Sequence, residues 1–461
     1  MMAAKRNFQI KLEARSVDIS VCSMISEAVR QKDTNNNGDS VLPSNFPFNS
    51  PAATRYMSLK IVHDLVLSHR DKHHSYIDGY LALHQLVHPI IDIPHFLSMV
   101  DKFWNDPLSV DTSWLASFLM VLALGCFTVS QDQDSTVNFC MAAEACLAKT
   151  PFMVEPDLSA IRTLCLMVIA KQTTNTTCRT FDSCWTFLGI VMRSAVSMGL
   201  NSQPKPRNQS AEAIHEWKSG KTLWSLIVYF CIHMATITGK LPLISTDDIV
   251  TKYEPFSYSN EKNDLWISLL EEVYPTICHI ICRVNSDTEK PSYDEVVRYN
   301  DQVRRLMAVL DTIRGRQALY IALDIFFRRI LLVLHRLHVL DPRALFDYPV
   351  SYWSSIESSL AILVHHRDLC EHKERGPDNM DLLGRLFKLD FFSAMLTVCL
   401  DLLRHDTSQV MRFTIPPRQI ILETLQACTD IWEKEIHHSA CFRIGHLLLT
   451  SILRVLSNVD H

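Results

Sequence analysis

The stretch FDSCWTFLGIVMRSAVSMGL, Phe181 to Leu200, decides the fold. Trp185, Leu188, Met192, Ala195 and Met198 return at three- and four-residue intervals, which lays them along one face of an α-helix. Asp182 or Ser183 is placed to cap its start. Gly199 stands just past the last periodic residue, where a left-handed glycine turns a helix off. Arg193 is the one charge between Asp182 and that glycine. The helix is therefore expected to be buried around most of its circumference, with Arg193 paired to a carboxylate or to a ligand anion. Such a helix needs other apolar helices wrapped around it.

Outward from this stretch the same periodicity recurs. Before it, helices are predicted over Tyr56–His69, Tyr76–Leu86, Phe96–Trp104, Trp114–Val129, Ser135–Ala148 and Asp157–Ala170, the last capped by Asp157. After it come Ile214–Thr238, Leu265–Val284, Tyr293–Ile313, Leu319–Leu340, Tyr352–His372, Leu383–Leu403, Arg418–His437 and Cys441–Leu456. Only 11 of 461 residues are glycine, 48% are hydrophobic, and no sustained period-two alternation appears. The expected fold class is all-α: a large multi-helix domain of antiparallel helical hairpins. Residues 1–53 are read as a separate N-terminal segment, with a weak helix over Val17–Val29 and a disordered linker in QKDTNNNGDSVLPSNFPFNSPAA (31–53). Residues 54–461 form the helical domain.

The net charge of −5 and a pI near 6.5 lack the basic excess of a nucleic-acid surface, so no direct nucleic-acid binding is expected. The first 25 residues mix charges without an apolar run, which argues against a secretory leader. Trp114–Val129 falls short of the roughly 20 residues of a membrane span, so it is read as a buried helix and no membrane association is expected. The 14 cysteines are scattered among apolar segments, which suits reduced core side chains.

CWTFLGIVMRSAVSMGLN resembles the signature helix of the fungal-specific transcription factor domain, or middle homology region. Trp185, Gly189, Arg193, Ala195, Gly199 and Leu200 match its Trp-x-x-x-Gly-x-x-x-Arg-x-Ala-x-x-x-Gly-Leu pattern, while Asn201 stands where the family often has His. LVHPIIDIPHFLSMVDKFW is similar to the family's opening motif through His88, Pro89, Pro94 and Phe96. KTLWSLIVYFCIHMATITGKLP resembles a later segment, with departures: Lys221-Thr222, Ser225 for a second Trp, Cys231 for Asp, and Gly239-Lys240-Leu241-Pro242 for Gly-Arg-Pro. STDDI (Ser245 to Ile249) and LVLHRLHV (Leu332 to Val339) fit two further motifs. Family members usually carry an N-terminal binuclear zinc cluster. This sequence contains no Cys-x-x-Cys, and one cysteine, Cys22, before Cys126. The expectation is a family member without that module.

Several constellations invite chemistry. Tyr229 and His233, four apart on an apolar helix, form a potential acid–base pair, joined by His88 and Asp92 from the Pro-punctuated turn that also holds His95. Trp185, Trp224, Arg193 and His233 are the expected ligand-binding residues. The plainer readings are core packing, turn structure and capping. Cys278, His279 and Cys282 span one helical turn, and His365, His366, Cys370 and His372 crowd a charged helix end. Neither offers a complete zinc ligand set, so no metal and no cofactor are expected.

Two functions of different class follow. In the first, the chain is a fungal transcription-regulator-like protein of the nucleus, with the cytoplasm as the alternative, controlling secondary metabolism. It would act through a hydrophobic small molecule or a DNA-binding protein partner, with a homodimer allowed. In the second, the same fold serves as a biosynthetic enzyme of cyclase or dehydratase type, using Tyr229, His233, His88 and Asp92. That enzyme would need those groups to converge on an enclosed cavity.

Overall fold

The computed structural model describes residues 42–43, 45–174, 178–202, 210–249, 265–287, 290–371, 381–404, 417–436 and 440–458. The expected helix over Val17–Val29 and His372 lie outside them. Among the described residues every regular element is helical, as the periodicity predicts. The main helices are α1 (Leu59–Ser68), α2 (His73–Val87), α3 (Ile93–Asn105), α4 (Thr112–Ser130), α5 (Gln133–Leu147), α6 (Leu158–Thr174), α7 (Cys178–Ser197) and α8 (Ala211–Thr238). Then come α9 (Tyr274–Asn285), α10 (Tyr293–Leu306), α11 (Gln317–Val339), α12 (Pro349–Glu371), α13 (Lys388–Arg404), α14 (Arg418–Glu435) and α15 (Ala440–Asn458).

Short polar side chains start these helices by accepting from backbone N–H groups that have no partner in the first turn. Asp111 Oδ1 accepts from Trp114 N at 2.7 Å, and Asp157 Oδ1 from Ala160 N at 2.7 Å, as expected for α6. Ser292 and Glu295 form a reciprocal capping box at α10. α7 ends as read: Gly199 has φ +78°, and the Leu200 N–H reaches back to Ala195 O at 3.1 Å. Its start differs. The helix begins at Cys178, so Asp182 and Ser183 lie inside it rather than capping it.

The packing centre also differs from the expectation. In α7, Thr186, Arg193 and Ser197 are exposed, so this helix is buried on one side only. Helices buried all round include α4, without a break from Ser113 to Thr128, α6, from Thr163 to Thr174, and α8, from Leu223 to Thr236. Consecutive helices pack on one another from α4 through α8. The chain then continues through α11, α12 and α13 against the same core, and α14 pairs with α15. The α2–α4 contact is the tightest: a Cβ on Gly125 would lie 1.7 Å from the Tyr76 carbonyl oxygen, so only glycine permits this backbone approach.

Three helical stretches match a membrane span by length and hydropathy: Thr112–Ser130, Ala211–Thr238 and Leu265–Asn285. In the first two, 89% of the apolar window is buried inside the protein, which is the environment of core helices. The stretch expected to be linker is partly structural. Leu42 and Phe46 are buried in the main core, because Lys171 Nζ donates to the Phe46 carbonyl and Glu144 accepts from Ser50 N at 2.6 Å.

Candidate functional site

α8 carries Tyr229 and His233 one turn apart, with their rings stacked at 5.7 Å and 21°. The end of α2 brings His88 to 5.8 Å from Tyr229 and 5.1 Å from Phe230. Three of the four residues read as potential catalysts therefore meet in one place. Two residues that the sequence reading missed complete the group. Asp390 of α13, fully buried, lies 3.4 Å from His233 Nε2 through Oδ2 and 3.7 Å from Arg329 Nε through Oδ1. Arg329 of α11 also donates to the Thr236 carbonyl at 3.2 Å. The signal was present in sequence only as a lone acid in the apolar run KLDFFSAM and an arginine in FFRRILL.

The electrostatics follow from burial. Desolvation, and secondarily the Asp390 charge, push the Tyr229 hydroxyl well above its ordinary range. Desolvation, then His84 and His233, pull His88 down to about 3, so it is neutral near pH 7. Tyr274, raised by burial and by Tyr229, adds a second hydroxyl to the region. The Tyr229 hydroxyl finds no hydrogen-bond partner among the described residues. Stacking rather than a direct hydrogen bond joins Tyr229 to His233.

Aromatic side chains close the group. Phe326 sits 5.0 Å and Trp266 5.7 Å from the Tyr229 ring, and Phe387 lies 6.2 Å from His233. Two cavities among the described residues lie elsewhere. One, of about 10 Å³, adjoins Asp92, Trp114 and Arg162; the other, of about 130 Å³, lies among the C-terminal helices.

The remaining candidates occupy other environments. Asp92 caps α3 at 3.5 Å from His95 N and pairs with His215 at 2.7 Å near the surface. It does not join the histidine–tyrosine group, because it starts α3 whereas His88 closes α2. Arg193 is exposed rather than buried with a counter-charge. Trp185 is half-buried, with Lys240 Nζ 4.5 Å from its ring centroid, and Trp224 is fully buried in α8. Lys240 belongs to the turn that replaces Gly-Arg-Pro, and there it supplies the cation.

The metal-like clusters resolve differently. His365 Nε2 bonds to Asp324 at 2.6 Å, and His366 stacks on Phe391 at 4.3 Å. Among the described residues no group of three or more His, Cys, Asp or Glu is arranged to hold a metal. Cys278 Sγ donates to the Ile244 carbonyl at 3.5 Å, and the neighbouring Cys278 thiol holds Cys282 below its ordinary range. His335, in the LVLHRLHV motif, is buried with both ring nitrogens bonded, to Ser351 Oγ at 2.9 Å and Asn300 Oδ1 at 3.0 Å.

Comparison with known proteins agrees with the architecture. The family model described as "Fungal specific transcription factor domain" matches residues 73–308, which runs from α2 beyond the end of α10. "Transcription factor opdR" of Penicillium oxalicum is 24% identical over 356 residues, covering 68% of this chain and 43% of the relative. "C6 finger domain transcription factor hasF" of Aspergillus fumigatus is 25% identical over 139 residues, covering 30% of this chain and 17% of the relative. "Protein STB5" of Saccharomyces cerevisiae is 25% identical over 215 residues, covering 42% and 27%. The chain thus spans less than half the length of the curated relatives it matches.

Proposed function

The chain belongs to the fungal specific transcription factor domain family, and from that premise we propose that it is the helical regulatory domain of a nuclear transcription regulator. The observation that carries the reading is the family match over the helices that build the core, extended by the similarity to a transcription factor over 68% of the chain. We assign the group around Tyr229, His233 and Asp390 to the architecture: it fastens α8 to α11 and α13. DNA contact comes through a DNA-binding protein partner, and the regulated genes serve secondary metabolism. One feature of this domain supports a role through a partner: its net charge of −5 disfavours phosphate binding. The enzymatic alternative draws no support from the relatives. Tyr229 and His233 are packed among aromatic rings, away from both cavities, and Asp92 lies apart from them beside the smaller one.

The test is to tether the chain to an unrelated DNA-binding module upstream of a reporter in a fungal host. The expected result is a several-fold change in reporter output that requires the tether. Unchanged output at equal protein abundance would refute the regulatory reading.

A further inference from the structure

The cavity of about 130 Å³ lies beyond residues 73–308, the part the family model matches. It is lined by His366, Gly384, Arg385, Trp432, Glu435 and Phe442, among others. One side is aromatic. Trp432 is stacked on Phe392 at 5.5 Å and meets Phe442 edge-on at 5.1 Å. α15 comes flush against the indole: a Cβ on Gly445 would fall 2.1 Å from Trp432 Cζ3, so glycine is required for Trp432 to sit there. The other side is charged. The Arg385 guanidinium, 7% exposed, lies 5.4 Å from the Phe127 ring centroid and pairs with Glu435 at 3.0 Å. Lys434 is exposed, which puts a second cation at the rim.

Size and charge select the ligand. An apolar cavity of about 150 Å³ takes a benzene-sized molecule, so this one, at about 130 Å³, holds no more than a single ring, with any polar substituent reaching out toward Arg385 and Lys434 at its edge. Arg385 and Lys434 outweigh Glu435 by one positive charge, and burial keeps His366 neutral by lowering it to about 3. Among the described residues, His366 Nδ1 and Trp432 Nε1 are buried in the lining without a hydrogen-bond partner. We infer that this cavity is a binding site for a small aromatic carboxylate, its ring against Trp432 and Phe442 and its anion taken by Arg385 and Lys434 in competition with Glu435. Arg385 touches Phe127 of α4 and Glu435 of α14. Occupancy would therefore change a contact between the family-matched core and the C-terminal helices. The binding itself does not depend on the regulatory reading.

Calorimetric titration of the purified full chain with benzoate, benzyl alcohol and benzylamine tests the site. Benzoate is expected to bind saturably and at least about ten-fold more tightly than benzyl alcohol, with benzylamine weakest. Arg385→Gln should remove the preference for the anion. Arg385 is buried and its replacement could impair folding, so Lys434→Gln at the exposed rim is the second variant. It should weaken benzoate about two- to five-fold with an unchanged melting temperature. No saturable benzoate binding to the folded wild type, a preference for benzylamine, or unchanged affinity in both variants would each overturn the assignment.

Discussion

Asp390 is fully buried, and Arg329 and His233 are its compensation. Removing one member of a buried ionic group strands the others, at about 3–5 kcal/mol, whereas replacing the group by apolar side chains is often neutral. Asp390→Ala is accordingly expected to lower unfolding free energy by about 3 kcal/mol or more in urea titrations. The double variant Asp390→Leu/Arg329→Met should lose much less, and an equal loss would mean that the charges do not act as a unit. Tyr229→Phe has the opposite sign. It deletes a buried hydroxyl without a hydrogen-bond partner, so stability should hold or rise by up to about 1 kcal/mol. At this scale the sequence showed the i, i+4 pair on α8, because helical spacing is local. It did not show Asp390 or Arg329, because nothing local says which distant charge enters an apolar helix. It also suggested a buried Arg193, although a single arginine on an otherwise uncharged helix can mark its solvent side.

Two glycines separate packing need from motif membership at the scale of elements. Gly125 has the Tyr76 backbone against it, so Gly125→Ala should force α2 and α4 apart. A thermal melt is expected to show a loss of about 3 kcal/mol or failure to fold. Gly189, part of the signature that identifies α7, has open space where a side chain would begin: among the described residues nothing lies within 4 Å of the Cβ position. Gly189→Ala should therefore gain up to about 1 kcal/mol from helix propensity alone. A large loss there would show that the site is more crowded than it looks. Helix positions were legible from apolar periodicity, and the Asp157 cap and the Gly199 terminator from local chemistry. Which helix lies at the centre was not. α7 carries the recognisable motif, but α4, α6 and α8 are buried all round. The single predicted helix over Leu383–Leu403 is in fact Asp381–Leu386 followed by α13, broken at Phe387, because apolar spacing continues across a one-residue turn.

Four buried histidines make the whole molecule acid-sensitive. Burial lowers His84 to about 4 and His88, His335 and His366 to about 3, against about 6.5 in an unfolded chain. Between those values the unfolded state binds more protons than the folded one. Stability is therefore complete above about pH 6.5 and falls as pH drops toward 4, by about 1.4 kcal/mol per unit for each histidine. Denaturant titrations at pH 7.5 and pH 5 should show this loss, and His88→Phe should make the slope shallower. A flat profile would place these rings in water. On the proposed function, the chain regulates transcription and its buried polar group is structural. The most direct test is a transcript comparison in the source fungus between a deletion strain and strains restored with the wild-type or Tyr229→Phe chain. Deletion is expected to change a coherent set of transcripts, and both chains to restore it. Unchanged transcripts with an accumulating metabolite, relieved by the wild type and not by Tyr229→Phe, would contradict the regulatory function and make the chain an enzyme.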